Sequence, residues 1–166
     1  MFKKILIGMF TLCATSVYAA EVPITGSVES RCVITTDTPG FYGNPNAYTL
    51  TTTPADGGVK PVVRFDVTLA NAYYAQITTP TSFDSSPSLN DTVTWTGSTT
   101  VSAVSDATGM AGYETAKTTF GSTTQYDLTA TGSTWFESSS TATNGGSRSF
   151  PGGNYVANVE AVCVAK

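Results

Sequence analysis

In the stretch "VVRFDVTL", residues 62–69, Val63, Phe65, Val67 and Leu69 fall on one side and Arg64, Asp66 and Thr68 on the other. A repeat of two matches the alternation of side chains along a strand and cannot place one face of a helix against a core. The same period runs through "YYAQIT" from Tyr73, "DTVTWTG" with Val93 and Trp95, and "QYDLTATG" with Tyr126 and Leu128. It returns in "NYVANVEAVCVA", where Tyr155, Ala157, Val159, Ala161 and Cys163 share one side. No stretch of ten residues carries the three-to-four spacing of an amphipathic helix, and Ser and Thr dominate the polar positions, which favours strands. Turn signals such as "PADGG" at 54–58, "SFDSSPSLND" at 82–91 and "ATNGGS" at 142–147 separate the runs. About seven short strands joined by polar turns predict an all-β chain folded as a single antiparallel Ig-like β-sandwich. The segment 105–121, "SDATGMAGYETAKTTFG", fits either a short helix or a long loop.

Residues 1–19 read as a secretory signal, with Lys3 and Lys4 before the apolar "ILIGMFTLCA" and small residues at Val17 and Ala19. The apolar part is about half of the ~20 residues that a membrane span requires. Without the leader, six basic residues stand against twelve acidic ones, a formal charge of −6. A sparse acidic surface with no basic run is the wrong field for a phosphate backbone, so nucleic acid is not an expected partner. The remaining length suits one domain, expected over 31–166 and preceded by an extension at 20–30.

Two cysteines remain after export, Cys32 and Cys163. In an oxidising compartment a disulfide between them is preferred over two free thiols. Such a bond closes a loop of most of the chain, worth about 5 kcal/mol in the loop-entropy model. It also requires the first and last strands to lie side by side.

Much catalytic chemistry is missing from the composition. There is no histidine, which removes the usual general base, zinc ligand and Ser-His-Asp arrangement. No motif sets a serine beside Lys60, Lys117 or Lys166. Asp66, Asp127 and Glu160 sit singly on polar strand faces, not as a pair flanking a cleft. Asp84 and Asp91 lie in a turn without the run of oxygen ligands that calcium needs. An enzyme is therefore not expected, and no cofactor or metal is called for. Aromatic residues leave another route open, because adjacent strand residues face opposite ways and Trp135 or Phe41 can offer a flat surface to a glycan. The alternative function is thus a secreted carbohydrate-binding β-sandwich module or tip adhesin.

The opening stretch after the leader, "EVPITGSVESRC", raises its own question. Val22, Ile24 and Val28 alternate, with Gly26 as a gap. Glycine inside a strand costs stability unless close approach demands it. The last apolar run reaches Lys166, so the sandwich is expected to lack a final strand and to expose a groove. A segment with alternating apolar residues fills such a groove by strand addition. An ordinary edge strand within its own domain is the competing reading of residues 20–30.

The extension "VPITGSVES", the central "VTWTGSTTVSA" and the ending "PGGNYVANVEAVCV" resemble the corresponding parts of pilins from chaperone–usher pili, nearest in pattern to colonisation-factor major subunits. The resemblance implies that the chain is a structural subunit of a surface pilus with a role in adhesion. It makes Val22, Ile24, Gly26 and Val28 the donor-strand positions and sets Tyr155, Ala157, Val159 and Ala161 along the groove edge. The partners it implies are identical or related pilin subunits, a periplasmic chaperone and an outer-membrane usher, with export through the periplasm to the cell surface; a host glycan receptor is the partner that the aromatic residues Trp135 and Phe41 suggest. A Cys32 to Cys163 bond matches neither of the disulfide patterns of such pilins, and Ala165 stands where many carry an aromatic residue.

Overall fold

The computed structural model describes residue 25 and residues 29–166. The leader and the positions Val22, Ile24, Gly26 and Val28 lie outside them. Ten strands follow in order: β1 (Cys32–Thr38), β2 (Gly43–Asn46), β3 (Thr49–Thr51), β4 (Val62–Val67), β5 (Tyr73–Thr78) and β6 (Val93–Val104). After one helical turn, α1 (Tyr113–Ala116), come β7 (Thr118–Phe120), β8 (Thr123–Leu128), β9 (Gly132–Asn144) and β10 (Glu160–Ala165). The open choice over 105–121 thus resolves into loop, a single turn of helix and a three-residue strand.

Every ladder among the described residues is antiparallel. Two sheets form, as the alternating runs predict. One is built around β9, which pairs with β6 on one side and with β4 and then β3 on the other; β1 continues beyond β4 and β2 beyond β3. The second has the order β10-β5-β8-β7. Each β9 residue with an even number from Thr134 to Asn144 is buried, and those between are half-exposed.

The core lies where these inward faces meet. Phe65 and Ile77, Tyr126 and Leu128, and Phe136 are fully or almost fully buried. Phe65 meets Phe136 edge-on at 5.4 Å between centroids, and Tyr126 tilts against Phe136 at 4.5 Å. Aromatic pairs of this geometry contribute about 0.5–1.5 kcal/mol beyond the area they bury. A second aromatic group gathers around Phe83, with Trp95 at 4.7 Å, Tyr155 at 5.0 Å and Phe150 at 6.0 Å. Trp95 is therefore half-buried packing. Leu69 departs from its predicted face, because β4 stops at Val67 and Leu69 sits in the following turn, 40% exposed.

The sheet margin at β6 is guarded. The backbone N–H of Val101 donates to the Glu114 carboxylate at 2.9 Å, while the Thr99 carbonyl accepts from the Tyr126 hydroxyl at 2.8 Å and Lys117 Nζ at 3.1 Å. Side chains from α1 and its neighbour thus occupy backbone groups that a strand edge otherwise offers to another chain. The opposite margin, between β1 and β10, is built differently.

Candidate functional site

Cys32 and Cys163 form a disulfide across that margin, with Cα atoms 6.3 Å apart. The first and last strands are side by side, as the pairing required. Beyond the bond the two edges diverge, and a groove of about 760 Å³ opens between the end of β1 and the segment 153–159.

The segment 153–159 explains why the groove has an unfilled edge. Val156 donates its N–H to the Ser85 carbonyl at 2.8 Å and accepts from the Asp84 N–H at 2.8 Å. Asn158 N–H donates to the Asp84 carboxylate at 2.9 Å. These contacts turn the even-numbered residues toward the 84–85 loop. Alternation then turns the backbone groups of Tyr155, Ala157 and Val159 toward β1. No backbone partner meets them among the described residues. Their side chains are half-buried, whereas Val156 and Asn158 are exposed. Unmade backbone hydrogen bonds beside apolar surface are what a strand needs in order to add to a sheet.

The floor is apolar and aromatic, with Tyr42, Leu50, Val63 and three prolines, Pro39, Pro61 and Pro80. Tyr42 bonds the Ser140 hydroxyl at 2.9 Å. Desolvation pushes its pKa up, and the bond to Ser140 offsets part of that rise. At the mouth, Phe41 and Val59 exchange two backbone hydrogen bonds, of 2.9 and 2.8 Å. Phe41 is 65% exposed and Val59 41%. The corner behind them is tight, since a Cβ on Gly43 collides with the Asp56 carbonyl and one on Gly58 with that of Thr51.

The chain enters β1 at the far end from this mouth. There the Arg31 N–H donates to the Thr68 hydroxyl at 2.9 Å, the Thr68 N–H donates to the Arg31 carbonyl at 3.1 Å, and the Tyr73 hydroxyl donates to the Ser30 carbonyl at 3.1 Å. Residues 21–28 are joined to the body through this anchored pole.

The expected groove-edge positions are therefore divided. Tyr155, Ala157 and Val159 line the groove, while Ala161 lies in β10 opposite Ile77, toward the disulfide. Trp135 and Phe41 occupy different settings. Phe41 belongs to the groove rim, whereas Trp135 stands on the outer face of the larger sheet. Its indole N–H donates to Asp37 at 3.2 Å, and the Arg64 guanidinium lies 5.9 Å from the ring centroid. Arg64 is held by Asp66 at 3.0 Å, which also accepts from the Ser133 hydroxyl at 2.6 Å. The floor residues Tyr42, Leu50, Pro61 and Pro80 were not singled out from the sequence as groove residues. Pro39, Pro61 and Pro80, each closing or opening a strand, were the signal available.

Among the described residues no group of three or more Cys, Asp or Glu could hold a metal ion, and no helix is long and apolar enough to cross a membrane. Set against known proteins, the chain matches no family model, no curated protein and no solved structure.

Proposed function

We propose that the protein is a structural subunit of a surface fibre, polymerising when the leading segment of one copy adds as a strand to the groove of the next. One observation carries this reading: a single groove combines an apolar floor with the unpartnered backbone of Tyr155, Ala157 and Val159. Residues 21–28, extended, reach roughly 25 Å at about 3.3 Å per residue, which suits an edge running from residue 153 toward 161. Val22, Ile24 and Val28 supply apolar side chains at alternate positions, and Gly26 suits the narrowest approach.

Insertion of the segment into its own groove is the less direct route. Residues 21–28 leave the body at the Cys32 pole, so they would have to reverse at 29–31 and cross over the disulfide before reaching the opening. A neighbour's segment meets no such obstacle. Because donor and acceptor surfaces differ, the contact repeats head to tail and yields an open filament. Export through the periplasm, capping of the groove by a chaperone and assembly at an outer-membrane usher belong to the same proposal.

A chain lacking residues 20–28 is expected to remain folded yet form no SDS-resistant ladder, whereas the full chain forms one. Ladders of normal length from the shortened chain overturn the proposal. A second reading, glycan binding on the outer face, draws on the fixed orientation of Trp135 between Asp37 and Arg64. It predicts a glycan-array signal that Trp135→Ala abolishes, and silence of the native protein on such an array removes it.

A further inference from the structure

The disulfide does more than tie two strands. An inserted strand lies about 4.8 Å from each neighbour, so the two strands flanking it must stand roughly 9.5 Å apart. At Cys32 and Cys163 the Cα atoms are only 6.3 Å apart. No third backbone fits between them, and the groove is blind at that end. Among the described residues it opens toward Gly153, Asn154 and the Phe41–Val59 corner.

Resting on the strand addition proposed above, we infer that the Cys32–Cys163 bond is an end stop that makes a second copy of this chain seat its Leu69 pole against the Phe41–Val59 corner. The segment 21–28 has one end attached to its own body, through Glu29 and Ser30. That attached end has to emerge where the groove is open, so the earlier residues lie toward the disulfide. The segment then runs antiparallel to 153–159. A linker of three residues, 29–31, keeps the incoming body close to the opening. The parts brought together are apolar on both sides. Phe41 and Val59 stand out from one pole of the body, while Leu69, 40% exposed, stands out from the other, in the turn beside Arg31. Apolar side chains presented singly at opposite poles match a heterologous contact between copies.

Two measurements on the full chain test this. Val59→Asp and Leu69→Asp are each expected to speed loss of subunits from polymers roughly tenfold, the scale of a contact residue worth more than 1 kcal/mol. Leu69 lies at the pole away from the groove, so affinity for a peptide of residues 21–29 is expected to stay unchanged on a Leu69→Asp body lacking residues 20–28. Polymers indifferent to both substitutions overturn the inference, and so does peptide affinity that falls in step with polymer stability. Orientation is read with a short bismaleimide linker. Ser27→Cys with Asn154→Cys is expected to give cross-linked ladders, and Glu21→Cys with Asn154→Cys is expected to give none. The opposite result, or no cross-link from either pair while the peptide binds, overturns the end stop and leaves strand addition standing. A peptide that does not bind at all overturns both.

Discussion

Tyr126 shows how a single side chain links the core to a sheet margin. Its ring packs on Phe136, and its hydroxyl reaches the Thr99 carbonyl at 2.8 Å. Desolvation, reinforced by the nearby Glu114 carboxylate, pushes its pKa well above the ordinary tyrosine value, and burial does the same for Tyr42. Both groups hold their protons more tightly folded than unfolded. Their contribution to stability is therefore complete below the unfolded value of about 10 and is lost as the pH climbs above it. Urea midpoints are expected to decline from pH 10 upward, with a shallower decline in Tyr126→Phe. At neutral pH that substitution is expected to cost about 1 kcal/mol, because the Thr99 carbonyl keeps Lys117 as a donor. A midpoint that falls equally steeply in Tyr126→Phe contradicts this assignment. Tyr126 was legible beforehand as an inward residue, but its hydroxyl's partner was not, since Thr99 is 27 residues away in sequence.

Among the elements, β9 is the longest that sequence periodicity concealed. Its inward positions are Thr134, Phe136, Ser138, Ser140, Ala142 and Asn144, only two of them hydrophobic, so apolar alternation has nothing to register. Those hydroxyls are tolerated inside because they are paired: Ser138 with Thr99 at 3.1 Å and Ser140 with Tyr42 at 2.9 Å. The apolar strands β4, β5, β8 and β10 were visible for the opposite reason. The run from Tyr155 was legible as alternation but not as two parts, because only Glu160–Ala165 pairs with β5. What decides the break is the bonding of Val156 to the 84–85 loop, a contact between distant segments. The guard at β6 is likewise tertiary, and it makes a prediction of its own. Glu114→Ala removes the acceptor of the Val101 N–H, with an expected loss of about 1 kcal/mol in urea unfolding and increased light scattering as the bared edge finds other chains. Unchanged scattering means that the margin is protected by something other than Glu114.

For the molecule as a whole, the two margins of the sandwich are treated in contrary ways. The β6 margin is capped by side chains at Thr99 and Val101, while the β1–β10 margin is locked at one end and open at the other. The lock spans 131 residues of sequence, and replacing both cysteines by alanine is expected to lower stability by about 3–5 kcal/mol in denaturant unfolding. A loss below about 1 kcal/mol would mean that the unfolded chain gains little freedom from the cut. The open end carries the other consequence. Apolar floor and unmade hydrogen bonds both weaken a body whose groove is empty, so an occupant that binds only the folded state must raise its stability by mass action. For a body lacking residues 20–28, a peptide of residues 21–29 at 100 times its dissociation constant is expected to add about 2.7 kcal/mol. The increment should grow with the logarithm of peptide concentration. An Ile24→Asp peptide places a charge on the apolar floor and is expected to add nothing at the same concentration. A denaturation midpoint that ignores the native peptide, or that responds equally to both peptides, is incompatible with a groove that recognises this segment by its alternating side chains.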